Sequence, residues 1–385
     1  MKQPKLVRIT TVPLSMRLLL AGQPAYMRSR GLDVALVSSK GRDWEGIPDI
    51  GSYPVYKIAM ARRVSPLKDL WALLRLILLF RKIRPDIVHS HTPKAGLLAM
   101  VAARLTGVKV RMHTVAGLPL MERTGRSRKI LVRAEKLTYA CATMVYPNSE
   151  RLKEYIEREG FVHPDKLYVI AGGSSNGIDT EYFQPTDALR GLGAEVRKTY
   201  GIGPRDLVFV FIGRIVADKG IHELVAAFGD LAETNPHVRL LLVGPFEDDL
   251  DPIDAGVKET IRTHPRIHVT GFAGDVRPFL CASDVLVFPS YREGFPNVPL
   301  QAGCFGLPSI VTDINGCNEI IIEGVNGVIV PPKDATALER AMERLASDRS
   351  FRTACAGVAR EQIVRRYQQS RVWEALYEEY RRLLG

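Results

Sequence analysis

Short runs that are apolar on both faces alternate with longer segments of helical period along the chain. A strand with no polar face must be covered on both sides. A strand reached only through a helix pairs in parallel with its predecessor. The alternation therefore argues for parallel sheets flanked by helices rather than an antiparallel sandwich or a helical bundle. The runs fall at residues 6–12, 33–38, 86–89, 109–114, 143–147 and 167–171, and again at 207–213, 238–244, 267–270, 284–289, 308–311 and 327–330. Two such sets imply two doubly wound α/β units. The length of 385 residues exceeds one average domain, and 46% hydrophobic residues suffice for two cores. The expected division is 1–185, 186–365 and a final helical segment, 366–385, packing back on the first unit. The hinge is expected where Asp, Pro and Gly cluster, between Ile178 and Gly203.

The formal charge of +11 and a pI near 9.4 suggest an anionic partner. The charge is uneven. Residues 1–185 hold 30 Lys and Arg against 15 Asp and Glu, and the remainder 23 against 27, so the anion is expected to meet the N-terminal half. The five cysteines are scattered and include no C-x-x-C pair, which speaks against a zinc site or disulfide framework and for a reducing compartment. The basic N-terminus runs straight into a strand-like segment, so no secretory peptide is expected.

In open parallel sheets ligands bind at the carboxyl ends of the strands, which selects the residues just after each apolar run. One such segment is Gly213-Arg214-Ile215-Val216-Ala217-Asp218-Lys219-Gly220. Arg214 offers a planar fork for phosphate oxygens and Lys219 a point charge, a pairing that suits a diphosphate. Alone, the segment fits a plain strand–turn–helix with solvated charges equally well. The second runs from Ser290 to Gln301 and includes Glu293, Gly294, Phe295, Pro296, Asn297 and Val298. A helix opening at Pro299 would turn free N–H groups and a positive dipole end toward a phosphate. Glu293, just before it, would accept sugar hydroxyls, and Glu293 and Gln301 could share one cleft.

Together these segments resemble the donor site of glycosyltransferase family 4, retaining enzymes of the two-domain GT-B fold. The family pattern, G-R-x3-K-G or a close spacing variant followed by E-G-F/L-x-x-x-x-x-E, is matched by Gly213-Arg214…Lys219-Gly220 and by Glu293 to Gln301. The resemblance extends over nearly the whole chain, through Gly173 to Asp179, the loop Val243 to Asp248, Arg8 to Pro13 and His89 to Gly96. The last two segments are similar to a bacterial subgroup that builds capsule, O-antigen or other polyprenyl-linked glycans. The fold implied is two Rossmann-like domains facing a cleft. Arg214 and Lys219 would bind the donor diphosphate, Glu293 would face the transferred sugar, and the backbone around Phe295, Asn297 and Val298 would meet phosphate. Gly244 and Phe272, after two further strands, complete the expected donor contacts. The activity implied is transfer, with retention, of an N-acetylated hexosamine or related hexose from a UDP-type donor to a polyprenyl-diphosphate-linked glycan. No metal or other cofactor is expected, because the cations stand in for it. The protein would sit on the cytoplasmic face of the cell membrane.

Two positions depart from the family pattern. Position 301, usually a glutamate on the nucleotide ribose, is Gln301, a neutral and weaker acceptor. The histidine that many members place before the glycine of a T-x-H-G segment is replaced by Ala116 in His113-Thr114-Val115-Ala116-Gly117. His113 is then the remaining catalytic candidate there, although a lone strand histidine is more often structural. For the acceptor the candidates are Thr11, His91, Lys94 and Arg126, with His91 and Lys94 expected past a strand end.

Two basic stretches remain. The helical segment from Ser65 to Pro85 carries two leucine-rich runs and ends in Arg81, Lys82 and Arg84. It is too short and interrupted to span a bilayer, and a sheet-covering helix with a basic end is favoured over membrane contact. The stretch from Met121 to Tyr139, with Arg123, Arg126, Arg128, Lys129, Arg133 and Lys136, fits a solvated face or a surface for anionic lipid equally. Rival functions are a sugar-nucleotide epimerase on the same fold and a catalytically impaired nucleotide-sugar-binding protein. Nucleic-acid binding has no helix-turn-helix, zinc-finger or aromatic RNA-binding signature behind it.

Overall fold

Each set of apolar runs builds one six-stranded, all-parallel sheet in the computed structural model, which describes residues 3–61, 65–122, 124–249 and 251–385. The first sheet comprises β1 (Lys5–Ile9), β2 (Asp33–Ser38), β3 (Val55–Lys57), β4 (Ile87–His91), β5 (Val110–Val115) and β6 (Met144–Pro147), in the order β3-β2-β1-β4-β5-β6. The second comprises β7 (Leu207–Ile212), β8 (Val238–Val243), β9 (Ile267–Gly271), β10 (Val285–Phe288), β11 (Ser309–Thr312) and β12 (Gly327–Val330), in the order β12-β11-β10-β7-β8-β9. Both orders reverse between the first and fourth strand of the set. The switch points, where ligands bind in doubly wound sheets, therefore lie between β1 and β4 and between β7 and β10.

One expected strand is absent and another takes its place. Residues 167–171 form none: Leu167 makes a single parallel bridge to Val145, and the chain then turns through Ile170–Gly172 with Ala171 at φ 49°. The sixth strand of the first sheet is instead Val55–Lys57, paired outside β2 at the sheet edge. Three residues are too few to show a periodicity in sequence.

The cores follow from the pattern. Val208, Phe209, Val210 and Phe211 are all fully buried, as a strand covered on both faces requires. The helix Ile221–Thr234 lays Ile221, Leu224, Val225, Phe228 and Leu231 on that core at helical spacing. The chain divides into two compact units, Met1–Gly177 with Gln369–Gly385, and Ile178–Gln368. The last helix, Gln369–Leu384, belongs to the first unit because Leu376 and Tyr380 join the buried cluster of Leu6, Met16 and Met112. Among the described residues no helix is long and apolar enough to cross a membrane.

Candidate active site

The second unit gathers its polar groups at the switch point. The loop after β7 carries Arg214, Asp218 and Lys219; the loop after the neighbouring β10 carries Ser290 and Glu293. Gly220 locks the two loops together. It sits at φ 71°, and a Cβ there would lie 2.1 Å from the carbonyl oxygen of Pro289 at the end of β10, so only glycine fits. Gly244, after β8, is held as tightly: its Cβ would lie 1.8 Å from the carbonyl oxygen of Gly213. The donor loop is thus clamped on both sides by bare backbone.

Lys219 Nζ forms an ion pair with Glu293 Oε1 and donates to Ser290 Oγ at 3.5 Å. Ser290 Oγ in turn lies 3.1 Å from Glu293 Oε1 and 3.5 Å from the carbonyl of Asp218. The Lys219 and Glu293 side chains are only 14% and 19% exposed, so their attraction is less screened than that of a surface pair. An ammonium has three donors, which lets Lys219 hold Glu293 and Ser290 and still address a phosphate oxygen. Arg214 pairs with a different carboxylate, Glu247 Oε2 in the loop after β8, at 3.0 Å, and its side chain is 42% exposed. Asp218 binds Arg292 at 2.7 Å, and its backbone N–H donates to Asp251 Oδ2 at 2.7 Å. The nearby Cys317 thiol is pushed well up, first by burial and then by the Glu293 carboxylate.

The helix expected to open at Pro299 opens two residues earlier, as Asn297–Cys304, with Pro299 inside its first turn. Its N-cap residue, Pro296, makes no side-chain cap, and the start of the helix, with its N–H groups and positive dipole end, follows Glu293 by four residues. The Asn315 side chain donates to the carbonyl of Gly294 and fixes the bend before it. Phe295 is partly buried, with its ring 5.4 Å from that of Tyr367. Pro296 is buried, Asn297 exposed and Val298 and Gln301 half-buried; Asn297 and Gln301, four apart, share a helix face. Phe272 follows β9 with 80% of its surface exposed. Nothing in the sequence distinguishes Ser290 or Asp218 from the rest of their loops, and Glu247 acquires its partner only through the β7–β8 pairing.

In the first unit the structure separates the candidates. β4 extends two residues further than expected, so His91 ends the strand and is 1% exposed, with Nε2 2.9 Å from Arg8 Nη2. This corrects its expected place beyond the strand end. His89 and His91 do share one face, their rings 4.4 Å apart, and His89 is bonded to Tyr380 and Thr114 at 2.6 and 2.7 Å. Burial, with Arg8 and the neighbouring histidines adding repulsion, holds both imidazoles well below their ordinary range. His113 is 2% exposed, accepts or donates at 2.9 Å with Ser90, and is covered by helix backbone at Gly96, whose Cβ would lie 2.3 Å from the ring. Burial lowers it to about 4. A neutral ring sealed under a helix packs the fold, and the catalytic expectation for His113 is not supported by its surroundings. Thr11 is 2.7 Å from Thr92 across the β1–β4 switch point and receives the N–H of Ala95 at 3.3 Å. Lys94 is paired with Asp69. Arg126 is exposed at the start of the helix Gly125–Cys141, on a different element from the other three; Arg123 lies outside the described residues.

Comparisons with known proteins agree with this layout. Residues 206–348 match the family model of glycosyl transferases group 1, and residues 21–173 match a glycosyl transferase 4-like domain. The chain is 33% identical over 385 residues to a capsular polysaccharide biosynthesis glycosyltransferase, CapM, of Staphylococcus aureus, covering 100% of this chain and 98% of the relative. It is 31% identical over 293 residues, 75% of this chain and 74% of the relative, to an Escherichia coli UDP-Gal:alpha-D-GlcNAc-diphosphoundecaprenol alpha-1,3-galactosyltransferase. In fold it matches a glycosyltransferase of Rickettsia africae with a TM-score of 0.83 at 18% identity, each chain covered completely. It also matches Anabaena HepE, solved with UDP and glucose, with a TM-score of 0.81 at 18% identity over 99% and 100% of the two chains.

Proposed function

This chain belongs to the family 4 glycosyltransferases of the GT-B fold, and from that premise we propose that it moves a hexose or N-acetylhexosamine from a UDP-sugar, with retention, to a polyprenyl-diphosphate-linked glycan in bacterial surface polysaccharide assembly. The observation that carries the reading is the Lys219–Ser290–Glu293 cluster at the adjacent ends of β7 and β10, beside an uncapped helix start. In this reading Lys219, Arg214 and the first N–H groups of the helix Asn297–Cys304 meet the diphosphate. As the bond from the anomeric carbon to the diphosphate breaks, negative charge grows on the leaving oxygens, and fixed cations and N–H dipoles there stabilise the transition state more than the ground state. Glu293 accepts hydroxyls of the transferred sugar, Gln301 a ribose hydroxyl, and Phe272 meets the base.

The acceptor reading draws on the +15 balance of residues 1–185 and on the lipid-linked acceptor of the E. coli relative. It places the enzyme on the cytoplasmic membrane surface. Positive side chains supply the charge that a metal would supply, so transfer is expected to survive chelation by EDTA. The deciding experiment incubates the purified protein with UDP-sugars and a polyprenyl-diphosphate-linked sugar. A product extended by one sugar supports the reading. Epimerised nucleotide sugar formed without acceptor, or transfer to soluble acceptors alone, overturns it. A thermal-shift screen ranks donors beforehand, since the preferred one raises the melting point most.

A further inference from the structure

The helix Pro66–Ile83 has an outer face that, among the described residues of its own unit, stays exposed. Its inner side chains Ala72, Leu76 and Phe80 are buried in the core, which holds the helix in place. On the opposite side Leu67, Leu70, Trp71, Leu74 and Leu78 are 81%, 54%, 65%, 45% and 64% exposed. They recur at steps of three and four, so they form one continuous apolar stripe along the helix. A stripe of this size is unusual on a soluble surface and marks an interaction site.

The charges say what covers it. Lys68, Arg75 and Lys82 are exposed and seven residues apart, so they line one edge of the stripe, and Arg81 and Arg84 close its C-terminal end. The helix has one acidic residue, Asp69, which lies off the exposed face and is paired with Lys94. We propose that this face docks the enzyme on an anionic lipid bilayer, with the leucines and Trp71 in the acyl boundary and the basic edge against lipid phosphates. An apolar face rimmed only by cations, on a helix too interrupted to span, lies in the plane of a membrane interface. The helix is already ordered by its inner face, so docking carries no folding cost. A second copy of the chain is the poorer occupant. A symmetric contact would join two copies of a face whose charges are all positive, with no acidic residue on that face to pair them. The inference rests on the reading of a lipid-linked acceptor for its purpose, and it selects the helix Pro66–Ile83 over the more basic helix Gly125–Cys141.

The test uses the whole protein and vesicles of phosphatidylcholine alone or with about a third phosphatidylglycerol. Trp71 is an exposed tryptophan, whereas Trp44 is buried and Trp373 is half-buried in contact with Asn176. Binding should shift tryptophan emission to the blue and make it quenchable by brominated lipid, and Trp71→Phe should abolish that signal while the protein still floats with vesicles. Leu70→Glu with Leu74→Glu should lower vesicle affinity about tenfold or more, and Arg75→Glu with Lys82→Glu should do so only on anionic vesicles. Melting points and UDP binding should stay unchanged, because these side chains are exposed and remote in sequence from the donor loops. Equal vesicle binding by the leucine variant, or a wild-type dimer that the variant turns into monomer, overturns the proposal. If the wild type docks through Trp71 but transfers no sugar to a lipid-linked acceptor, the acceptor reading fails and the docking surface stands.

Discussion

Lys219 and Glu293, 74 residues apart in sequence, meet as an ion pair where β7 and β10 run side by side. Each comes from the loop after its strand, so the doubly wound topology, rather than sequence proximity, makes the pair. The pair holds the ammonium at the switch point, against a carboxylate on the loop that leads into the helix starting at Asn297. On the proposed reading, its partial burial gives the charge leverage on a leaving diphosphate that a solvated lysine would lack.

Lys219→Ala should lower the transfer rate by about a hundred- to a thousand-fold, comparable to losing one donor from an oxyanion site, roughly 3–4 kcal/mol. Part of that cost comes from leaving Glu293 without its counter-charge. Glu293→Gln separates the two roles. It should leave UDP binding by calorimetry near normal, since Lys219 stays, while turnover falls. Near-normal turnover of the lysine variant would refute the assigned role.

Arg214 is tied to Glu247 rather than to Glu293, and the pair is well exposed. On the proposed reading, a donor phosphate would share the guanidinium with that carboxylate. Glu247→Gln should therefore tighten donor binding by a few-fold, while Arg214→Ala should weaken it by about tenfold with a smaller effect on turnover than Lys219→Ala. Titration of each variant with UDP reads both. Weaker binding in the Glu247 variant would mean that the carboxylate positions Arg214 instead of competing for it.

What could be read from sequence follows from range. The strand–helix alternation and the two loops are local patterns, and a loop that directly follows a strand places Arg214, Lys219 and Glu293 at strand ends. The partners were not local. Arg8 donates to Tyr380 Oη at 2.8 Å across 372 residues, and to Gln23 at 2.6 Å, so its burial on β1 has no signature near position 8. His91 reads as a loop residue because His-Ser-His-Thr-Pro is polar, yet tertiary packing keeps it in β4. The stripe on the helix Pro66–Ile83 reads as core from composition; only the fold shows that Leu67 and Trp71 face outward.

Gln301 lies on the same helix face as the exposed Asn297. Where the family pattern has a carboxylate, this chain has an amide, and a charged acceptor binds a hydroxyl roughly twice as strongly as a neutral one. Gln301→Glu should therefore lower the KM for the nucleotide sugar several-fold with turnover nearly unchanged, and a 2′-deoxyribose donor should erase the gain. An unchanged KM with both donors would remove position 301 from the ribose contact.

The buried histidines set the response of the first unit to acid. His89, His91 and His113 are all held below their ordinary range, so between about pH 4 and 6.5 the unfolded chain binds protons that the folded chain refuses, and stability falls as pH falls. Glu135 works against them. Burial raises it to about 7, so it favours the folded state on acidification. The shifts of Glu135 and His113 are similar in size and opposite in effect, which leaves His89 and His91 to set the slope. The net effect of these two rings is a loss of stability as pH falls below about 6.5. Urea midpoints should drop steadily from about pH 7 to 5. His91→Gln keeps an acceptor for Arg8 and removes one titrating ring, so its profile should be flatter. A wild-type protein more stable at pH 5 than at 7, or a variant with the same slope, would show that these rings do not stay neutral in the folded state.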